Sequence, residues 1–412
     1  MAENTKERIL SAAFSFYRTP CFTEISLSQI AEKVGITKAA IFKHFKNKDA
    51  LKDAMKDKMY GDVAVVLKEM QQMYANIKDE EALPTVITFI AEHPEYLNYM
   101  LMTLGEFTED SFYLQMKNYG VSILDKIYDD NGGVKNLSEY IKSVFVSTTM
   151  LVFIMFREKI AGGFIALDLP VSNIGDFAKR LSDLISHGVR GNDARITMLR
   201  LAEIDSVCKE SMVDLKAADR VLLAIAKVIS DFGIAGITVD KVAKELGLAK
   251  SSLYTWFSNK NDMIKTLIKE EFEQLYEIIV KNMQKMNTSG ERLYVMLQTV
   301  LAYLMHRPEL LDVLKWIQMS DEIRSDKEAW NKEHEIEKFL KAQDIFNSLP
   351  DLGIAKNDVD AVFNLSTWWF FALPVILFVH GRAHKFELPI LQAAMKDMYF
   401  MVQYGANAAA EM

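Results

Sequence analysis

The 412-residue sequence predicts an all-α protein built as two tandem units, each a three-helix head followed by a longer helical body. Two observations predict it. Residues 25–51, ISLSQIAEKVGITKAAIFKHFKNKDAL, are written again without a gap 212 positions later, as ITVDKVAKELGLAKSSLYTWFSNKNDM at 237–263. Apolar residues recur at helical spacing along the chain, and two-residue alternation is nearly absent. With 8 prolines and 18 glycines, breakers are few.

The first helix is expected from about Thr5 to Tyr17, with Ile9, Ala12, Ala13 and Phe16 on one face. Pro20, Cys21 and Phe22 make the turn after it. Ser26 and Gln29 fit a capping box opening helix two. Gly35 ends that helix, because glycine takes positive φ at little cost. Thr37 is a good N-cap for a third helix over Lys38–Phe45, and Asn47 for a long fourth helix from Lys48 to about Tyr74. Unit two repeats the plan, with Thr238 in place of Ser26, Gly247 of Gly35 and Asn259 of Asn47. Ala249 stands where Thr37 caps, so that helix lacks a side-chain cap.

The duplication runs beyond the heads. His93-Pro94 answers Arg307-Pro308, with proline marking the first turn of a helix. Ser147-Thr148 answers Ser366-Thr367, Leu169-Pro170 answers Leu388-Pro389, and His187-Gly188 answers Tyr404-Gly405. The organisation expected is head 1 over 1–48, body 1 over 49–190, a helical linker over 191–212, head 2 over 213–260 and body 2 over 261–412. The linker holds Ile196, Leu199, Leu201 and Ile204. Its 22 residues span about 33 Å if helical, close to the roughly 34–36 Å between half-sites on one face of DNA.

Two short helices about a glycine turn form a helix-turn-helix, whose second helix fits a DNA major groove. Net charge is −8, yet residues 1–60 carry +4 and 213–272 carry +1. Phosphate binding needs local, not total, positive charge. The recognition helix of head 1 offers Thr37, Lys38, Ala39, Lys43 and His44; that of head 2 offers Lys250, Ser251, Tyr254, Thr255 and Trp256. Lysine reaches guanine acceptors, and Ala or Thr touches the thymine methyl. Lys48 and Lys260 open the fourth helix of each head, where backbone amides and an ammonium suit a phosphate. Ser26 and Thr238 add hydroxyls. The two sets differ at most positions, which predicts an operator with related but unequal halves.

These heads resemble the TetR family of bacterial transcriptional regulators. The resemblance rests on Thr37-Lys38-Ala39-Ala40-Ile41-Phe42-Lys43-His44-Phe45 followed by Asn47-Lys48-Asp49-Ala50-Leu51. In the second unit it rests on Ala249 to Phe257 followed by Asn259-Lys260-Asn261-Asp262-Met263. It implies two tandem TetR-like units, a double-stranded DNA operator as partner, a small apolar effector bound in the body, and pairing of the units through their last two helices. A ligand-responsive repressor working as a single-chain pseudo-dimer follows from it. The alternative is a helical ligand-binding or scaffold protein whose second head has lost DNA binding.

The bodies are rich in Met and aromatic residues: Met100, Met102, Phe107, Phe112, Tyr113 and Met116 in one, and Trp316, Met319, Trp330, Trp368, Trp369, Phe370 and Phe371 in the other. Such residues fill cores and also suit an adaptable apolar pocket. His93, Arg307 and Trp316 are the more conspicuous candidates to line it. Val362–Val379 nears transmembrane length, but Asn364, Ser366, Thr367 and Pro374 interrupt it. It reads as a buried interface helix, with no membrane partner. Two isolated cysteines, Cys21 and Cys208, make no disulfide framework, and MAENTKERIL lacks a basic-then-apolar leader. A reduced, cytoplasmic protein is expected. No phosphate loop, metal cluster or nucleophile–base pattern points to an enzyme, a metal or a cofactor.

Overall fold

The computed structural model describes residues 5–18, 25–76, 82–102, 109–157, 174–189, 195–213, 215, 219–232, 237–311 and 359–407. Pro20, Cys21, Phe22, Phe107, Leu169, Pro170, Trp316, Met319 and Trp330 lie outside the described residues, as do the side chains of Met102, Trp368 and Lys260. Among the described residues the chain is helical, with one isolated bridge between Tyr128 and Val134. They divide into unit 1, up to Gly188 plus the tail from Gly405, and unit 2, from Val189 to Tyr404.

In unit 1, α1 (Thr5–Ser15) buries Ile9, Leu10, Ala12, Ala13 and Phe14 along one face. α2 (Leu27–Val34) carries the expected capping box. The Ser26 hydroxyl accepts from Gln29 N–H at 3.2 Å, and Ser26 N–H donates to Gln29 Oε1 at 2.9 Å. Gly35, at φ +76°, closes the helix by donating to the Ala31 and Glu32 carbonyls. Arg8 adds a charge-assisted bond to the neighbouring Val34 carbonyl at 2.9 Å, where a cation complements the helix dipole.

α3 spans only Lys38–Ile41, shorter than the sequence predicts. Successive turns carry the chain through His44, and Phe45 N–H still bonds to the Ile41 carbonyl at 3.0 Å. The hydrogen bonds shift there to tighter turns, Lys43 N–H to the Ala40 carbonyl at 3.2 Å and His44 N–H to the Ile41 carbonyl at 2.9 Å, while Ile41 and Phe45, one turn apart on the same face, are both buried.

α4 (Lys48–Asn76) leaves the head and becomes the first helix of the body. Its Leu51 and Met55 belong to the same core as Met59, Tyr60 and Ala64 further along, and as Tyr96 and Tyr99 of α6 (Pro94–Met102). Pro94 occupies the first turn of α6, as expected. Phe14 of α1 meets the Tyr96 and Tyr99 rings edge-on at 4.9 and 5.6 Å. Asn98 donates to the Tyr17 carbonyl at 2.8 Å, and the Tyr96 hydroxyl donates to the Asp62 carboxylate. Edge-on aromatic pairs contribute about 0.5–1.5 kcal/mol each beyond area burial. The head is therefore joined to its body by packing as well as by the chain.

The rest of unit 1 is α5 (Ala82–Glu92), α7 (Glu109–Asn118), a 3-10 turn over Ile123–Lys126, α8 (Leu137–Arg157) and α9 (Ile174–His187). α9 lays Phe177, Ala178, Leu181, Leu184 and Ile185 inward and packs on α5. Tyr113 and Met116 are core residues, with the Tyr113 ring stacked on Tyr128 at 4.8 Å. Leu137–Ile154 is long and apolar enough to cross a membrane by length and composition, and half of it is buried inside the protein.

Unit 2 comprises α10 (Met198–Ser211), α11 (Arg220–Phe232), α12 (Val239–Glu245), α13 (Lys250–Tyr254), α14 (Lys260–Met283), α15 (Ser289–His306), α16 (Val359–His384) and α17 (Leu388–Tyr404). α15 is buried along most of its length because α10, α14, α16 and α17 all pack on it. The segment read as a linker is thus helical from Met198 and lies inside unit 2. Leu201, Ile204 and Cys208 face inward, whereas Leu199 is 75 % exposed. Several polar groups buried by this packing find partners, while Asn282 Oδ1 makes no hydrogen bond among the described residues. The Tyr294 hydroxyl donates to Asp205 Oδ1 at 2.7 Å, and Gln298 donates to the Tyr294 oxygen at 2.9 Å and to the Gln392 carbonyl at 3.1 Å. Asn282 donates to Ser211 Oγ at 3.0 Å and to Thr299 Oγ1 at 3.1 Å. Trp369 and Phe370 of α16 are fully buried and stack at 5.2 Å. Arg307 is a buried core residue too, 3.4 Å from the Glu271 carboxylate.

Candidate nucleic-acid interface

Each head presents the start of two helices side by side. In head 1 these are the capped ends of α2 and α3. The Thr37 hydroxyl accepts from Ala40 N–H at 3.2 Å. With that bond made, the first turn of α3 projects Lys38 and Ala39 outward, and both are exposed, as are Thr37, Lys43 and His44. Ser26 is exposed, but its hydroxyl is engaged twice, accepting from Gln29 N–H and donating to Gln29 Oε1 at 2.8 Å. A phosphate taking the hydroxyl hydrogen would compete with that side chain. Lys48, the first residue of α4, is half-buried. With Lys52, it lines a shallow hollow of about 340 Å³, open solvent included, whose floor is Ala13, Ile30 and Leu51. The Asn47 side chain caps the helix by accepting from Ala50 N–H at 2.8 Å.

Head 2 copies the frame and changes the chemistry. Thr238 accepts from Lys241 N–H at 3.3 Å. Lys241 stands where head 1 has Gln29, so the reciprocal half of the box is lost, and the Lys241 ammonium instead sits over the Phe232 ring at 4.1 Å. Ala249 opens α13 with no side-chain bond. At the next helix Asn259 accepts from Asp262 N–H at 2.9 Å, while Ser258 N–H donates back to Asp262 at 2.7 Å. Thr238, Lys250, Ser251, Tyr254, Thr255 and Trp256 are all exposed. Tyr254 and Trp256 are large apolar exceptions to the rule of burial, at 46 and 60 %. The Thr255 hydroxyl donates to the Ser252 carbonyl at 2.7 Å, which leaves its methyl and oxygen as the outward groups.

One feature of the surface escaped sequence reasoning. Lys250 Nζ lies 2.9 Å from Asp240 Oδ2, in an exposed ion pair joining the first turns of α12 and α13. The hydrogen bond to Asp240 holds the Lys250 ammonium above its ordinary pKa. The residue aligned with Asp240 in head 1 is Ser28, a substitution visible in the duplicated segment.

Comparison with known proteins agrees with this geometry. Residues 9–55 and 221–267 each match the family described as "Bacterial regulatory proteins, tetR family". Both heads are tetR-family heads, carried in tandem on one chain. Relatives include the "Fatty acid metabolism regulator protein" of Bacillus subtilis (strain 168), 31 % identical over 74 residues, which cover 18 % of this chain and 38 % of the relative. The "Nucleoid occlusion factor SlmA" of Haemophilus influenzae (strain PittGG) is 31 % identical over 85 residues, 21 % of this chain and 39 % of its own length. The "Biofilm operon icaADBC HTH-type negative transcriptional regulator IcaR" of Staphylococcus aureus (strain Newman) is 33 % identical over 76 residues, 18 % of this chain and 41 % of its own. In each case the match spans about two fifths of the relative's length.

Proposed function

We propose that the chain is a sequence-specific, double-stranded DNA-binding transcriptional regulator, a ligand-responsive repressor that engages two half-sites with the heads of a single chain. The observation that carries the reading is the duplicated head. In each copy a capped or glycine-closed turn presents an exposed recognition segment, Thr37-Lys38-Ala39 with Lys43 and His44 in one, and Lys250-Ser251 with Tyr254 to Trp256 in the other. Lysines at these positions supply phosphate and guanine contacts, and the threonine and alanine methyls supply thymine contacts. The unequal side chains give an operator of two related but distinct halves. The bodies, 49–190 and 261–412, hold a small apolar effector, a role supported by their Met and aromatic content and by the printed description of one relative as a fatty acid metabolism regulator. Effector and DNA then lower each other's affinity by the same factor.

The test is a selection from random duplex DNA with the full chain and with Lys38→Ala plus Lys43→Ala. Enrichment of two spaced half-sites, one of them lost in the variant, is expected. Absence of any salt-sensitive duplex binding would overturn the reading. The Asp240–Lys250 pair favours a second outcome, enrichment of the head 1 half-site alone, as in a protein whose second head no longer contributes.

A further inference from the structure

We propose that Asp240 sets the imbalance between the two heads: it weakens head 2 on DNA by occupying Lys250 and by placing a carboxylate where phosphate must approach. The inference rests on the DNA-binding reading of the heads. Three observations carry it. The heads share one backbone plan, so Lys38 and Lys250 both stand first in the recognition helix. Lys250 is paired with Asp240 at 2.9 Å, while among the described residues Lys38 shows no ion pair and has Ser28 at the aligned position. Asp240 lies in the first turn of α12, two residues after Thr238, and is exposed beside Lys250 at the surface of the head.

An exposed ion pair contributes little to folding. On DNA its effect is larger, because the carboxylate repels phosphate and the lysine must break a bond before making another. Repulsive charges of this kind are how related sites are made unequal. Tyr254 and Trp256 then dominate what head 2 can offer, and its contacts to bases become apolar rather than cationic.

The experiment uses the full chain and a mixed-sequence 30-base-pair duplex, with binding followed by fluorescence anisotropy between 50 and 200 mM NaCl. Asp240→Ser, which copies head 1, is expected to tighten binding about three- to tenfold at the low-salt end and to steepen the salt dependence by about one released ion. Lys250→Ala is expected to change wild-type affinity less than about twofold, and to cost at least about threefold in the Asp240→Ser background. Unchanged binding by Asp240→Ser would overturn the proposal, and weaker binding would overturn it and make Asp240 a positioning residue for Lys250. If the wild-type chain and both variants fail to bind at any salt, the DNA-binding reading itself fails. Thermal unfolding of each variant shows that the fold is retained, with at most a small fall in midpoint expected, because Asp240 is exposed but stands in a helix first turn where a carboxylate is favoured.

Discussion

The Arg200 guanidinium holds both carboxylate oxygens of Glu291, at 2.8 and 3.0 Å, and so clamps α10 onto the first turn of α15. Glu291 is almost fully buried, and the guanidinium beside it holds its carboxyl below the usual range. A depressed carboxylate contributes stability that is fully present above its unfolded pKa and is lost as pH falls through the folded value. Glu291→Gln is therefore expected to destabilise unit 2 by about 1–3 kcal/mol at neutral pH, and to narrow its difference from wild type below about pH 4. All five tryptophans fall between Trp256 and Trp369, so urea unfolding followed by tryptophan fluorescence reads unit 2 selectively. Equal midpoints at pH 7 would refute the expectation.

Two glycines with positive φ should respond differently to alanine. Gly35, at φ +76°, has nothing within 4 Å of where a Cβ would sit. Gly35→Ala should cost only the left-handed strain, about 1 kcal/mol. Gly405, at φ +86°, would place its Cβ 2.0 Å from the Ser186 carbonyl oxygen. Gly405→Ala combines that strain with a backbone collision and should lower the thermal midpoint much further, as followed by circular dichroism.

The missing cap of α13 can be restored. Ala249→Thr gives head 2 the hydroxyl that Thr37 gives head 1, and should stabilise it by about 0.5–1 kcal/mol. The mirror change, Thr37→Ala, should destabilise head 1 by a similar amount. Hydrogen exchange in residues 237–263 and 25–51 measures both, and slower exchange is expected only for the first.

Cys208 is buried against Val295 and Thr299, and burial pushes its thiol up to about 12. Since the thiolate is the reactive form, iodoacetamide at pH 8 should leave Cys208 unmodified in the folded chain and label it in urea. Peptide mapping distinguishes the two, and rapid native labelling would contradict the packing of α10.

What the sequence showed best was local. The capping box at Ser26, the left-handed Gly35 and Gly247, and Pro94 at the start of α6 all depend on neighbours within a few residues, so the pattern alone sufficed. Tertiary demands were harder to read. The third helix was expected to reach Phe45 and stops at Ile41, where Lys43 and His44 bond three residues back instead of four, a tightening that leaves the apolar spacing unchanged. The stretch 191–212 looked like a spacer, although Leu201, Ile204 and Cys208 stand at helical spacing on one face. Their burial was the missing fact, since the stripe fits an exposed strut and a packed helix equally well. Arg307, singled out as a pocket candidate, is committed to Glu271 instead. The Asp240–Lys250 pair crosses a turn between residues ten apart, a distance at which spacing carries no signal. Only the Ser28-to-Asp240 difference between the copies hinted at it.

α10 also makes unit 2 more than its head and the helices that follow it. It packs on α15 from a position ahead of the second head in the chain. Deleting 198–211 would bare the flank of α15 around Val295 and Thr299 and leave Glu291 without its guanidinium. A fragment cut at the repeat boundary near residue 213 would therefore carry a complete second head and still lack part of the cover of its own body's central helix.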